Sequence, residues 1–250
     1  MKTNVELYVS LLDVAIIILL ALIPAVSLMV KIYRRDKTDQ EPVGLLLLCV
    51  LGGVLAAVLA SNLEALGSIP LGWAHVTAES LGKNSDVWYV ALYALMIGFS
   101  EEFSKLVFLY LFTWKNKNFN FLFDGIVYAV FVSLGFAGLE NILYVMHYPS
   151  LAVVILRAVL SVPGHMCFSV FQGYFYSRAK RKENCGDMRK MRLEIFQGLL
   201  LAAVTHACYD GIILSGKDYN TIVFAIFFVI VDLYAWRIIK TESVNDGAIL

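Results

Sequence analysis

The chain has 250 residues, of which 60% are hydrophobic and 16% are charged, and its formal net charge is zero. Soluble domains are about half apolar and about one quarter charged. This composition, with a mean hydropathy of +0.74, therefore excludes an ordinary soluble domain. The four cysteines form no CxxC pair, which argues against a zinc knuckle or a disulfide framework. The short basic clusters flank apolar segments, which favours membrane topology and argues against a nucleic-acid partner.

Seven apolar segments approach or exceed the length of a transmembrane helix, since a hydrocarbon core of about 30 Å requires about 20 residues. The sequence therefore predicts an all-α, polytopic transmembrane helix bundle that forms a single integral-membrane domain over residues 1–250. Six spans, with the first or last span lost or peripheral, are the main alternative. The predicted spans are approximately 8–31, 43–63, 87–114, 121–146, 150–177, 193–214 and 219–239.

Lysine and arginine are unevenly distributed between the loops. By the positive-inside rule, the first, third and fifth loops and the C-terminus lie in the cytoplasm, and the N-terminus lies outside. The outer side carries Lys2, Lys83 and Lys217, and its longest loop is the Gly- and Pro-containing segment 64–86, in which a short re-entrant or surface helix would fit. The basic residues of the cytoplasmic side are Lys31, Arg34, Arg35, Lys37, Lys115, Lys117, Arg178, Lys180, Arg181, Lys182, Arg189, Lys190, Arg192, Arg237 and Lys240.

The third span carries three ionisable side chains, Glu101, Glu102 and Lys105, in an otherwise apolar segment. Each such group at the centre of a membrane helix costs about 2.5 to 3.5 kcal/mol. The spacings of three and four residues bring both carboxylates to the lysine on one helical face. A salt bridge that lowers the insertion cost would explain one glutamate. A second glutamate beside it favours acid–base chemistry.

The fourth and fifth spans add further polar groups. FAGLEN carries Glu140, for which a function is favoured, and Asn141, which could equally be a bond between helices. In the fifth span, Pro163 and the following glycine are expected to disturb the helix just before His165, which frees a backbone carbonyl. Arg157 is interpreted as a structural group that neutralises a buried glutamate.

The sixth span carries His206 and Asp210 at a spacing of four residues, which lets the carboxylate orient the imidazole. Counting from the span ends places His206, like both glutamates of the third span and His165, near the middle of the membrane. Glu140 and Asp210 are placed towards the outer side. The four helices are therefore expected to converge on one polar cavity.

Two catalytic schemes fit two histidines and several carboxylates. In the first, His165, His206 and Glu101 hold a divalent metal such as zinc and leave a position for an activated water. In the second, a glutamate activates water directly and the histidines stabilise the oxyanion. The sequence contains no HExxH motif, so the metal scheme lacks its most specific support.

The motifs EEFSK at Glu101–Lys105, FAGLEN at Phe136–Asn141, PGHMCF around His165 and HACYD at His206–Asp210 resemble the PrsW family of intramembrane proteases. That family is recognised by EExxK, FxxxEN and a late HxxxD. Each motif alone is weak, whereas the ordered set in consecutive spans is specific. The similarity extends from an EPV triplet at Glu41–Val43 to Asp210.

The resemblance implies a multi-pass peptidase of a bacterial membrane, related to the CAAX-protease and bacteriocin-processing superfamily. The family is usually described as metalloprotease-like, and its namesake cleaves a membrane-bound anti-sigma factor at site one, which releases a stress sigma factor. A single-pass membrane protein in the lipid bilayer is therefore the expected substrate. The resemblance implies that the catalytic core is Glu101, Glu102, His165 and His206, supported by Lys105, Glu140, Asn141 and Asp210.

Two other classes of function remain open from the residues alone. Chains of glutamate, histidine and aspartate also form proton relays in ion-coupled transporters, although the internal repeats of such proteins are not visible here. A non-catalytic membrane scaffold or immunity protein could retain the same fold. Such a scaffold would tolerate the loss of Glu101 and Glu102, whereas a peptidase would not.

Overall fold

The computed structural model describes residues 11–80, 86–148, 150–216 and 220–249, and nearly all of them are helical. These residues form seven helices, and within them the only β-structure is an isolated antiparallel bridge between Phe121 and Ala248. The prediction of an all-α polytopic bundle is therefore confirmed. The helices are α1 (Leu11–Tyr33), α2 (Val43–Ser80), α3 (Asp86–Thr113), α4 (Asp124–His147), α5 (Leu151–Asn184), α6 (Met188–Leu214) and α7 (Asn220–Val244).

Five helices, α2, α4, α5, α6 and α7, have the length and the apolar composition needed to cross a membrane. The apolar part of α1, Ile18–Tyr33, is shorter, and residues 8–10 of the predicted first span lie outside the described residues. Helix α3 is less apolar because its centre carries the two glutamates and the lysine, yet it packs lengthwise between α2 and α6. The described residues therefore form seven helices, five of which are long and apolar enough to cross a membrane.

Helix α4 is the centre of the bundle. In the most apolar stretch of α4, 78% of the residues are buried, compared with 17% in the corresponding stretch of α7. Helix α4 packs against α1, α2, α3 and α5. Its side chains and those of α5, such as Leu134, Met166 and Phe168, form the largest buried apolar cluster. Polar groups on α4 and α5 are therefore removed from lipid and must be satisfied within the protein.

Helix α2 continues without interruption past residue 63 to Ser80, so the prediction of a loop from residue 64 is wrong. Most of the predicted outer loop 64–86 is thus helix, and residues 81–85 lie outside the described residues. Pro70 lies inside this helix, where it removes a single backbone donor. The hydroxyls of Ser68 and Thr77 donate to the carbonyls of Ala65 and Trp73, which satisfies polar groups locally.

Helix α5 contains one wide turn, from Arg157 to Ser161, with π-helical hydrogen bonding. The N–H of Val162 donates to the carbonyl of Arg157, five residues earlier. The next residue, Pro163, has no N–H to donate. The predicted disturbance before His165 is therefore confirmed, and it takes the form of a π-bulge, a feature common at functional sites.

The first, third and fifth loops and the C-terminal tail lie at one end of the bundle. Asn120 donates to the carboxylate of Asp39 at 3.0 Å, and Asn184 donates to the carbonyl of Ile249 at 2.9 Å. This is the arrangement that the charge asymmetry predicts, with the basic loops on one side. The outer-side lysines at positions 2, 83 and 217 lie outside the described residues. We call this the basic end.

Candidate active site

The structure brings all the ionisable residues singled out in the sequence into one buried cluster at the centre of the bundle. Helix α3 supplies Glu101, Glu102 and Lys105, α4 supplies Glu140, α5 supplies Arg157 and His165, and α6 supplies His206 and Asp210. The two adjacent glutamates, the lysine and both histidines are each at most 7% exposed. Four helices therefore converge on one site, as expected.

Lys105 is the hub of this cluster. Its ammonium group lies 2.7 Å from Glu102 Oε1, 3.2 Å from Glu101 Oε2 and 3.1 Å from His165 Nδ1. An ammonium has three N–H donors and no acceptor, so these three contacts use all of them. The buried cation thereby holds both carboxylates and one imidazole in a fixed arrangement.

His206 joins α6 to the glutamates of α3. Its Nδ1 lies 2.9 Å from Glu102 Oε1 and 3.9 Å from Glu101 Oε2. Its Nε2 faces Asp210 Oδ2 at 3.5 Å. The ring stacks on Phe168 with a centroid distance of 4.6 Å. The imidazole is therefore held at both nitrogens and on one face.

A second chain of contacts starts at His165. Because Nδ1 accepts from the lysine, Nε2 carries the proton and donates to Glu140 Oε2 at 2.9 Å. Arg157 lies 2.9 Å from the same oxygen, and its Nε donates to Asn141 at 2.7 Å. Asn141 in turn donates to the carbonyl of Ala21 on α1. Arg157 thus neutralises a partly buried glutamate, and Asn141 bonds between helices.

A close helix crossing brings α3 against α6. A Cβ added to Gly98 would lie 2.7 Å from the carbonyl oxygen of Ala203 and 2.9 Å from the nitrogen of Ala207. Only glycine permits this approach, because no real Cβ makes contacts this short to a rigid backbone. Gly98 lies one turn before the glutamates, and Ala207 follows His206. The crossing therefore sets the distance between Glu102 and His206.

A cavity of about 900 Å³ opens onto the cluster. Glu101 lines this cavity with 9% of its side chain exposed, whereas Glu102 is fully enclosed behind it. Adjacent residues on a helix point about 100° apart, which explains why the two glutamates differ. The other polar side chains of the cavity wall are Ser61, Glu64, Tyr93, Glu140, Tyr144, Arg157, Ser161, His165, His206, Tyr209, Asp210, Asn220 and Thr221.

Three contacts of the site were not predicted from the sequence. Gln172 donates to the backbone carbonyl of Glu102 at 3.1 Å, and Ser133 donates to the carbonyl of His165 at 2.8 Å. Glu64 on α2 lines the cavity, because the helix continues where a loop was expected. Single neutral polar residues in apolar spans carry little signal, and Glu64 was assigned to a loop.

The donor atoms of Glu101, Glu102, His165 and His206 all lie within 4.8 Å of one another, so this group can hold a metal ion. Two imidazole nitrogens and carboxylate oxygens match the ligands of catalytic zinc sites. Glu102 Oε2 is buried and has no hydrogen-bond partner, which leaves one acceptor free. The residues therefore fit a divalent metal in donor type and in spacing.

Fold and site together define a multi-pass membrane protein with a buried acid–histidine centre that faces a cavity. Residues 41–235 match the model of the PrsW family of intramembrane metalloproteases, and the chain belongs to this family. The family consists of intramembrane proteases, and the similar proteins found come from bacteria. The chain is therefore a peptidase of the bacterial cell membrane.

Similar proteins support this assignment over most of the chain. It is 30% identical to a protein named Protease PrsW from Clostridioides difficile over 223 residues, which cover 88% of this chain and 87% of the relative. A Protease PrsW from Geobacillus kaustophilus is 31% identical and covers 79% of both chains. One from Shouchella clausii is 31% identical and covers 90% of this chain and 97% of the relative. No solved structure matches this chain.

Proposed function

We propose that the protein is an intramembrane endopeptidase in which Glu101 activates the water that attacks a peptide bond. The single observation behind this proposal is the position of Glu101. Of the two adjacent glutamates, it is the one that reaches the cavity, while its Oε2 stays within 3.2 Å of Lys105. A general base must meet substrate and water while its partners fix its orientation.

The proposed reaction follows from these contacts. Glu101 accepts a proton from water as the water oxygen bonds to the peptide carbonyl carbon. The same carboxyl then gives this proton to the leaving nitrogen as the C–N bond breaks. The negative charge that develops on the carbonyl oxygen would be stabilised electrostatically by the Lys105 ammonium, which lies 3.2 Å from Glu101 Oε2. Asp210 and Glu140 act as positioning residues for His206 and His165.

A divalent metal, where one is bound, would be held by His165, His206 and Glu101, and it would replace the contact of Lys105 with His165 Nδ1, because the other ring nitrogen of His165 carries a proton. It would supply Lewis acidity and lower the pKa of a bound water. In the protein itself, Glu102 remains the enclosed partner of Lys105 and His206. This placement makes Glu102 a group that positions the others, in either scheme.

The substrate we propose is a single-pass membrane protein of the anti-sigma-factor type, cleaved at site one near the outer boundary. The cavity wall extends from Glu101 past Asp210 to Asn220 and Gly216, which lie at the end of the bundle opposite the basic end. An extended segment that enters from the outer side would therefore reach Glu101. The family resemblance supplies the substrate class.

The test is cleavage of a tagged, single-pass anti-sigma-type substrate in reconstituted membranes. We expect Glu101→Gln to lower the cleavage rate by about 10²-fold to 10⁴-fold, the range for a lost general base. The matched control is Glu194→Gln, which removes another buried carboxylate, paired with Arg178 at 3.0 Å outside the cavity. Glu194→Gln should cleave at the rate of the wild type.

Chelator treatment separates the two schemes. Activity that a chelator abolishes and zinc restores supports the metal, whereas unchanged activity supports direct activation of water by Glu101. Cleavage by Glu101→Gln at the rate of the wild type would overturn the role of this residue.

A further inference from the structure

A second acidic cluster lies at the basic end, remote in sequence from the active-site motifs. It combines Asp36 from the first loop, Glu41 just before α2 and Asp124, the first residue of α4. One carboxylate oxygen of each lies within 4.8 Å of those of the other two. The three residues are 1%, 3% and 0% exposed. The first loop and the start of α4 thus bury three carboxylates at one point.

The cluster lacks the hydrogen bonds that buried carboxylates require. Both side-chain oxygens of Asp36, one of Glu41 and one of Asp124 are buried without a hydrogen-bond partner. The hydroxyl of Tyr128, one turn further along α4, is also buried, and it faces the carboxylate of Glu41 within the cluster. Asp124 Oδ2 accepts from the peptide N–H groups of Asn120 and Phe121. Buried polar atoms of native proteins are rarely left unpaired in this number.

Positive charge is also lacking around these acids. Among the described residues, neither Asp36 nor Glu41 nor Asp124 forms a salt bridge with a lysine or an arginine. Burial and the neighbouring acids raise the pKa of Asp36 to about 6 and that of Glu41 to about 7. Both shifts show that burial disfavours the ionised carboxylates as long as no positive charge lies beside them. Uncompensated charges of this kind are costly to bury.

We propose that Asp36, Glu41 and Asp124 bind a hard divalent cation of the Mg²⁺ or Ca²⁺ class. Carboxylate and hydroxyl oxygens are the ligands that these ions prefer. The cluster contains no imidazole or thiolate, which distinguishes it from the active-site group. Tyr128 completes the oxygen lining of the site.

The cation would join the loops of the basic end. It would connect the first loop and the start of α2 to the start of α4 through its carboxylate ligands. The C-terminal tail already meets the same place, because Asp246 accepts from the N–H of Phe123 at 2.8 Å and Gly247 accepts from Leu122 at 2.9 Å. Such a site would stabilise the end of the bundle where α1, α2 and α4 emerge from the membrane.

The test measures Mn²⁺ binding to the purified, chelator-treated protein by electron paramagnetic resonance, with Mg²⁺ and Ca²⁺ as competitors. We expect Asp36→Asn and Asp124→Asn to weaken Mn²⁺ binding by at least about tenfold, since a ligand is removed. Asp39→Asn is the matched control, because Asp39 is an exposed acid of the same loop that pairs with Asn120.

The variant His206→Gln distinguishes Mn²⁺ at this cluster from Mn²⁺ at the active site. It removes an active-site donor and should leave Mn²⁺ binding at the acidic cluster unchanged. Retained binding in Asp39→Asn and His206→Gln, with loss in Asp36→Asn and Asp124→Asn, supports the proposal. Wild-type protein that binds no Mn²⁺, or an Asp36→Asn variant that binds it as tightly as wild type, overturns it. If Asp36→Asn or Asp124→Asn fails to fold, Glu41→Gln serves in its place, with the cation-dependent rise in Tm as the second readout.

Discussion

Single residues with the same chemistry have different surroundings in this site. Glu101 and Glu102 are adjacent in sequence, yet one faces the cavity and the other contacts Lys105 and His206 from behind. The sequence could show that only one of them would point into the cavity, because of the helical angle between them. Which of the two glutamates faces the cavity depends on how α3 packs against the neighbouring helices, and the sequence of α3 alone does not determine this packing.

The motifs predicted the charged residues of the site, since an ionisable group in a membrane helix is rare and costly. The sequence did not predict that Gln172 and Ser133 belong to the site, because neutral polar residues are common in membrane helices. Their partners are backbone carbonyls of Glu102 and His165. Every residue has a backbone carbonyl, so a contact of this kind requires no particular residue type at the partner position and cannot be predicted from the sequence.

Asp210→Asn should slow cleavage by about 10-fold to 100-fold, the usual effect of removing a group that orients a histidine. The carboxylate faces His206 Nε2 at 3.5 Å, so kcat should fall while KM changes little. The measurement is the rate in reconstituted membranes as a function of substrate concentration. Asp232→Asn on α7 is the control and should match wild type. An unchanged kcat in Asp210→Asn would contradict this positioning role.

At the scale of helices, close packing determines the site geometry. The contact of Gly98 with the backbone of α6 allows α3 to approach His206. The π-bulge begins at Arg157 and ends at Ser161, one turn before His165. The sequence predicted this second feature from proline chemistry. It did not identify Gly98, because the partner of a glycine contact is backbone.

The boundaries of α2 show where local signals fail. Gly67, Pro70 and Gly72 are typical of a loop, yet they lie within one helix. In an apolar environment a continuous helix satisfies the backbone N–H and C=O groups at the lowest free-energy cost. Neighbouring polar groups can compensate for the one N–H donor that Pro70 lacks. The context of the bundle therefore outweighs the local preference of these residues.

Gly98→Ala should separate α3 from α6 and lower both stability and activity. The added Cβ would meet the backbone of Ala203 and Ala207, and overpacking of this kind costs about 1–3 kcal/mol. Thermal unfolding in detergent and the cleavage rate are the measurements. Gly72→Ala is the control, because its Cβ would meet nothing within 4 Å. Equal Tm values for Gly98→Ala and wild type would refute the argument.

At the scale of the whole molecule, the two ends of the bundle differ in charge. The basic end holds Asp36 and Glu41, whose pKa values are raised to about 6 and about 7. The groups that face them are acidic or neutral: Asp39, Asp246, Asp124 and Tyr128. Ordinary values for aspartate and glutamate are 3.8 and 4.5. At pH values between the ordinary and the raised pKa values, Asp36 and Glu41 therefore hold protons in the folded protein that they release in the unfolded chain.

This linkage predicts that cation-free protein loses stability as the pH rises from about 4 to about 7. Stability rises with pH only where the unfolded state binds more protons, and here the folded state binds more. The measurement is Tm against pH in chelator, for wild type and Asp36→Asn. The variant should show a smaller fall. Identical slopes for wild type and Asp36→Asn would refute the assignment.

The orientation of the bundle can be tested with the native cysteines, because Cys185 is exposed at the basic end while Cys49 and Cys167 are buried. The positive-inside rule places this end in the cytoplasm. In a Cys208→Ser background, an impermeant maleimide added to intact cells should therefore leave Cys185 unlabelled, and labelling should appear once the cells are permeabilised.

The opposite end provides the matched control. Ser150 is exposed between α4 and α5, at the end where the cavity opens towards Gly216. A Ser150→Cys variant that also carries Cys185→Ser and Cys208→Ser should label in intact cells. Cys185 labelled from outside, with Ser150→Cys protected, would invert the orientation. The cavity would then open to the cytoplasm, and a substrate cleaved near the outer boundary could not reach Glu101 by this route.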